Sequence, residues 1–336
     1  MLEDAKKLAG ARKIVGDCAR VKPEEKVLVI TDTKTLKVGE LIATEALGIT
    51  NEVVLAVCTP RRAHGEEPPP QIANAMSVSD VIFMPLVFSM THAVATKEAR
   101  KNGARVLSMG NFEERMLESG GIEADFLSIA KTVDQVANVL GEGRTAKVTT
   151  EKGTDLFMDI SGRKGFAEPG FSHTPGSISG PPNIEANVGP VEGTSEGILI
   201  VNGSIPHPAL GVIREPIRVE IEDGKVAKIS GGAQAKILQR VLEEFDDPNI
   251  YNIAELGVGL NPCSQITGSM LEDEGAYGTC HIGIGNNLDF GGHVAAKSHI
   301  DLIIRNSTIE IDGKLIQKNG ELTLLDRRSS HGEKEK

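Results

Sequence analysis

Aromatic residues are scarce in this chain, at 3% of 336 positions, and tryptophan is missing altogether. Base-stacking surfaces need exposed aromatic faces, so their scarcity argues against nucleic acid as a partner. A net charge of -11, from 36 basic and 47 acidic residues, points the same way, because a phosphate backbone demands a basic patch. No run of 18 apolar residues occurs, so no membrane span is expected, and the N-terminal MLEDAKKLAGARKIVGDCAR lacks the apolar core of a signal peptide. The four cysteines, Cys18, Cys58, Cys263 and Cys280, are widely spaced and form no C-x-x-C, which fits reduced thiols and a cytoplasmic location. Nucleotide fingerprints are also missing: the GVG at 257–259 and the GIG at 283–285 lack a third glycine, and there is no P-loop.

What is present reads as two domains. Short apolar runs at 26–32, 52–58, 80–87 and 104–109 alternate with helical stretches at 33–47, 70–77, 91–102 and 124–140. That alternation is the pattern of a parallel sheet covered on both faces. From 146 onward, short alternating stretches are broken by glycine, proline and asparagine, with hairpin turns at Asp223-Gly224 and Asp312-Gly313 and one helix from Ala233 to Phe245. The expected fold is α/β: a Rossmann-like parallel α/β N-terminal domain over 1–142, then an antiparallel-β-rich α+β metal-binding domain over 143–325. Residues 326–336 read as a disordered tail. The glycine- and proline-rich span 162–190 reads as a surface loop.

The chemistry concentrates between Ala254 and Asp301, where Glu255, Glu274, His281, His293, His299 and Asp301 fall among glycines, in a chain with eight histidines. In SHIDLII, taken as a strand, His299 and Asp301 project from one face and converge. In TCHIGIG, His281 shares its face with Gly283 and Gly285, leaving open space beside the ring, while Cys280 turns to the core. Imidazoles and carboxylates together suit zinc, manganese, cobalt or non-haem iron. Arg61, Arg62 and His64 lie just past a strand end, where such sheets bind ligands, and are taken as a solvated loop. His92, His173 and His207 are taken as incidental, and His331 is discounted with the tail.

The order of PVEGTSEG (Glu192), IAELGVGLNP (Glu255), DEGAYGTCHIGIG (His281) and SHIDLII resembles the M29 metalloaminopeptidases, the group that includes aminopeptidase T. The resemblance covers about residues 185 to 321. It implies two metal ions held by Glu192, Glu255, His281, His299 and Asp301, with Glu274 matching the glutamate of that group's Asp-Glu run, and it implies a homodimer. Over FDDPNIYNIAELGVGLNP and GGHVAAKSHID the chain also resembles the 2,5-dihydroxypyridine 5,6-dioxygenases, relatives with a single iron(II). Their triad has a histidine where this chain has Glu255 and no histidine matching His281. The aminopeptidases place a tyrosine where this chain has Leu288.

On these grounds the sequence is read as a metallohydrolase that cleaves an amide or related bond of a small polar substrate through a metal-activated water. Zinc, manganese or cobalt would be the cofactor. Glu274 or Glu196 would move the proton to the leaving nitrogen, and His293 would act as a third imidazole, an acid or a substrate contact. The alternative is a ring-cleaving dioxygenase with iron(II).

Overall fold

The computed structural model describes residues 4–324, so the expected tail and His331 lie outside the described residues. Four of the apolar runs form parallel strands, Val27–Asp32, Val53–Cys58, Val81–Leu86 and Arg105–Gly110. They lie in one sheet in the order Val53–Cys58, Val27–Asp32, Val81–Leu86, Arg105–Gly110, and a short strand Ile178–Ser179 from the second half of the chain completes it. Three of the four are buried throughout, as expected of strands covered on both faces by helices. Helix Leu36–Leu47 sits against one face, and helices Pro70–Met76 and Val94–Lys101 pack on each other over the opposite one, among Leu28, Ile30, Ile82, Met84 and Val106.

Two large antiparallel sheets and a two-stranded one, Ser204–Ile205 with Gly211–Val212, hold the remaining strands among the described residues. The larger has eight strands, in the order Lys225–Ser230, Ile217–Glu222, Glu196–Val201, Asp155–Asp159, Thr145–Thr149, Thr308–Ile311, Lys314–Lys318 and Glu321–Leu322. Its hairpins turn at Asp223-Gly224 and Asp312-Gly313, where all four residues have positive φ (49°, 70°, 51° and 72°), as a tight two-residue turn between twisted strands requires. The other large sheet has five strands, in the order His299–Arg305, Thr279–Gly285, Ile253–Gly259, Glu185–Val188 and Gly165–Glu168.

Helix Phe126–Glu142 joins the halves. Asp125 caps its start by accepting from Ser128 N, and its buried stripe of Phe126, Val133, Val136, Ala137 and Leu140 follows the helical repeat. That stripe packs on Gly165–Glu168 and Glu185–Val188, so one continuous apolar core runs from the parallel sheet into the five-stranded one.

The expected surface loop over 162–190 is corrected here. It contains three strands, Gly165–Glu168, Ile178–Ser179 and Glu185–Val188, and residues 181–190 are buried without a break. A four-residue strand covered on both faces shows no alternation, and the prolines and glycines around it supply a loop-like composition.

Candidate metal centre

The pleat of the five-stranded sheet decides which side chains meet. Cross-strand register sets Glu255 opposite Gly283, Gly283 opposite Asp301, Gly257 opposite His281, and Gly285 opposite His299. Residues two apart share a face, so Glu255, His281, His299 and Asp301 rise together while Cys280, Ile282, Ile300 and Leu302 pack into the core behind them. A glycine lies beneath each imidazole. A Cβ on Gly257 would stand 2.0 Å from His281 Nε2, and one on Gly283 would stand 2.5 Å from His299 Nε2, so only glycine leaves the rings their places. The fourth strand adds Glu185, opposite Gly259, and the fifth adds Glu168, opposite Glu185.

Glu255 stands between the two rings. Its Oε2 is 3.0 Å from His299 Nε2, and its Oε1 is 3.6 Å from His281 Nε2. Asp301 Oδ1 lies 3.1 Å from His299 Nε2, and Glu185 Oε2 lies 3.5 Å from His281 Nε2. Two groups of converging donors result, Glu255–His299–Asp301 and Glu185–Glu255–His281, and within each the ligand atoms lie within 4.8 Å of one another. His299 Nδ1 sits 2.7 Å from the Asn286 carbonyl, a contact in which the ring donates, fixing its orientation and turning Nε2 toward the carboxylates. Phe290 packs on the same ring at 4.9 Å between centroids.

Charge in this pocket is unbalanced toward the negative: Glu168, Glu185, Glu255, Glu274 and Asp301 surround two imidazoles. Burial pushes the Glu185 carboxyl up to about 8, against the pull of His281. Burial and the Asp301 charge hold the Glu274 carboxyl well above its ordinary value, and burial with the Glu255 charge raises Glu168. Burial alone would depress both imidazoles, but Glu185 and Glu255 lift His281 to about 9, and Asp301 and Glu255 lift His299 well above its usual value. Asp301 stays ionised, since His299 outweighs its burial and holds the carboxyl far below the normal range.

These residues fit a divalent cation. Glu185 Oε2 and Glu255 Oε1, both facing His281 Nε2, are buried atoms with no hydrogen-bond partner, an arrangement that is costly for a structural network and natural for ligands. The nitrogen and oxygen donors are those of iron, manganese or zinc, with more carboxylate than a two-imidazole facial triad has.

Comparison with known proteins adds what geometry alone does not. The family model described as 2,5-dihydroxypyridine 5,6-dioxygenase matches residues 11–324. This chain belongs to that family. A 2,5-dihydroxypyridine 5,6-dioxygenase of Pseudomonas putida (strain KT2440) is 26% identical over 259 residues, which span 74% of this chain and 72% of the relative. Among solved structures, the 2,5-dihydroxypyridine dioxygenase from Pseudomonas putida KT2440 superposes with a TM-score of 0.82 at 21% identity, covering 96% of this chain and 98% of that one. Wild-type AmpT from Thermus thermophilus follows at 0.69 and 13% identity, covering 95% of this chain and 99% of that one. The two structures share the α/β fold.

Membership of the dioxygenase family overturns the expected hydrolase. The metallohydrolase, aminopeptidase and metalloprotease readings rested on a handful of ligand types, whereas the family match runs over nearly the whole chain. Donor identity constrains which metals bind; it does not fix the reaction.

The residues singled out in the sequence fall into two sets. Glu255, His281, His299 and Asp301 meet, and Glu274, buried just after the short helix Met270–Asp273, faces Asp301. Glu192 is in neither donor group: it pairs with Arg163 and accepts from Asn287 Nδ2 and His293 N, both at 2.8 Å. Glu185, seven residues earlier, is the carboxylate that stands in a donor group with Glu255 and His281. Glu196 is exposed at the start of a strand in the other antiparallel sheet, where it accepts from Asp223 N and buttresses a hairpin. His293 is exposed, and its contribution is a backbone N–H. His92, set aside in the sequence, reaches across from the first half of the chain to Asp289, 3.0 Å away, in the turn that carries Phe290.

Glu192 organises the loop beside the centre. Burial opposes its charge, but the backbone N–H groups, Asn287 and Arg163 outweigh it and hold the carboxyl down to about 2. Its folded value thus lies below the unfolded one of about 4.3, so the stabilisation is complete above that pH and fades as pH falls toward the folded value. Acid unfolding of Glu192→Gln is expected to lack the corresponding slope between about pH 5 and pH 2. Glu192→Ala, which strands the nearly buried Arg163, is expected to cost about 1–3 kcal/mol in urea unfolding at neutral pH.

Proposed function

We propose that this chain is an oxygen-dependent ring-cleaving dioxygenase for a small hydroxylated nitrogen heterocycle of the 2,5-dihydroxypyridine type, with one iron(II) held by Glu255, His299 and Asp301. The observation that carries the reading is the convergence of these three donors, with His299 locked by Asn286 so that Nε2 faces both carboxylates. The family match supplies the reaction class. When bound, iron(II) supplies the one-electron chemistry that lets dioxygen react with a closed-shell ring.

The chain's own groups hold and orient. Asn286 O fixes the His299 tautomer, and Phe290 packs against that ring. His281 Nε2 faces the other oxygen of Glu255 at 3.6 Å, and Glu185 Oε2 faces the same ring nitrogen at 3.5 Å. Glu274, kept protonated by burial and by the neighbouring charge, donates its O–H to Asp301 and steadies that carboxylate. His92 and Asp289 tie the first half of the chain to the loop bearing Phe290, so that the substrate would enter between the parallel sheet's C-terminal edge and the metal.

The test is anaerobic purification, reconstitution with iron(II), and simultaneous recording of oxygen uptake and ring absorbance with 2,5-dihydroxypyridine. Equimolar loss of oxygen and ring, abolished by chelation and restored by iron(II), is expected. Substrate loss that proceeds without oxygen, or iron-loaded protein that leaves hydroxylated pyridines untouched, would overturn the reading.

A further inference from the structure

The edge strand Gly165–Glu168 carries a carboxylate that faces the centre but belongs to neither donor group. Gly165 lies against helix Phe126–Glu142, where a Cβ on it would stand 1.9 Å from the Ala137 carbonyl oxygen. Alternation then turns Phe166 and Glu168 to the opposite face, the one on which the donor groups stand. Register sets Phe166 opposite Asn187 and Asn187 opposite Gly257, in the row that leads to His281. Glu168 stands opposite Glu185, and Asn187 Nδ2 ties the two carboxyls together, 3.3 Å from Glu168 Oε1 and 3.1 Å from Glu185 Oε1.

Glu168 is half-buried, whereas Glu185 and Asn187 are closed off. Its carboxyl feels Glu255, His281 and His92, which belong to three different segments, so it looks into the space between the donor groups and the first half of the chain. The free polar atoms here are acceptors. Glu168 Oε2 has no partner among the described residues, and Asn187 Oδ1 is buried without one. A ligand seated here must therefore bring the donor. Each hydroxyl of a dihydroxypyridine can swing its proton toward any of several carboxylates, but the ring N–H of its 2-pyridone form is fixed in the plane of the ring. That N–H needs one acceptor at the ring's edge, outside the metal's own ligands, and Glu168 Oε2 is such an acceptor.

We propose that Glu168 is a specificity-determining substrate contact, accepting a hydrogen bond from the ring N–H of the heterocycle through Oε2 while Asn187 holds its other oxygen. The proposal rests on the dioxygenase reading of the same centre. Selection for a ring nitrogen follows from it, because a carbocycle of equal size leaves the half-buried carboxylate facing a C–H.

Calorimetric titration of the iron(II)-loaded protein under nitrogen, where no turnover occurs, compares 2,5-dihydroxypyridine with hydroquinone, its carbocyclic counterpart. The wild type is expected to bind the pyridine about 10- to 100-fold more tightly, the worth of one hydrogen bond to a charged group. Glu168→Ala is expected to lose that margin while binding hydroquinone as before. Glu168→Gln, whose amide oxygen still accepts, is expected to keep part of it. Metal content and melting temperature of both variants should match the wild type, since Glu168 stands outside both donor groups. A margin left whole in Glu168→Ala would overturn the proposal, and so would wild-type protein that binds the two rings equally or loss of metal from Glu168→Gln. Wild-type protein that takes up iron and binds neither ring would overturn the dioxygenase reading, and this proposal with it.

Discussion

Glu255→Ala is expected to abolish both metal retention and turnover, because this one carboxylate offers an oxygen to each of the two donor groups. Residues that merely support a metal ligand are worth about 10- to 100-fold in affinity, so losing a shared ligand should exceed about a hundredfold. The clearest readout is independent of activity. Metal at about a hundred times its dissociation constant stabilises a binding-competent fold by about 2.7 kcal/mol, so the wild type should melt higher on adding iron(II) or manganese(II), and the variant should not move. Removing Glu255 also relieves crowding among Glu168, Glu185 and Glu274, whose carboxyls it helps to raise. The metal-free variant should therefore remain folded. Equal metal content in the two proteins, measured after gel filtration, would refute Glu255 as a ligand.

Gly283→Ala is expected to have the next largest effect. Its new methyl would stand 2.5 Å from two atoms of the His299 ring and 2.9 Å from Glu255 Cβ, in the middle of a sheet where neither neighbour can retreat far. Overpacking of this kind costs about 1–3 kcal/mol. The functional loss should be larger than the loss of stability, since a ligand constellation tolerates displacement of only about 0.5 Å. Gly16→Ala, whose methyl would meet nothing within 4 Å, serves as the control. Should Gly283→Ala keep full metal affinity and melt like the wild type, the ring's seat on that glycine would not matter as argued.

Much of this architecture could be read from the sequence, and the parts that could not share a cause. The parallel strands announce themselves as apolar runs, and the Asp-Gly turns as tight hairpins, because both are local properties. Glu255, His281, His299 and Asp301 were visible because histidine is rare here and His-x-Asp in a strand has one geometric meaning. Glu185 was hidden. It sits in NIEANV, amid prolines and glycines that suggest a loop, and its burial depends on strands distant in sequence. Glu192 was read as a ligand because a short motif carries residue types without positions, and its partner Arg163 comes from 29 residues earlier. The pairing of His92 with Asp289, nearly two hundred positions away, was hidden for the same reason. The reaction itself was misread because ligand types are shared between hydrolytic and oxidative chemistries, and only similarity along the chain separates them.

Because the donors sit on adjoining strands rather than on loops, their arrangement inherits the arithmetic of the pleat. Inserting one residue before His281 would send its ring to the far side of the sheet and present Cys280 in its place. Inserting two would restore the side but carry the ring about 6.6 Å along the strand, beyond reach of Glu255. Length is therefore frozen within 253–259, 279–285 and 299–305, while the connecting segments remain free to grow. Lineages of this fold can be expected to diversify by lengthening what lies between the strands and by exchanging residues at fixed places on them, so that new substrates arrive without the centre ever being moved.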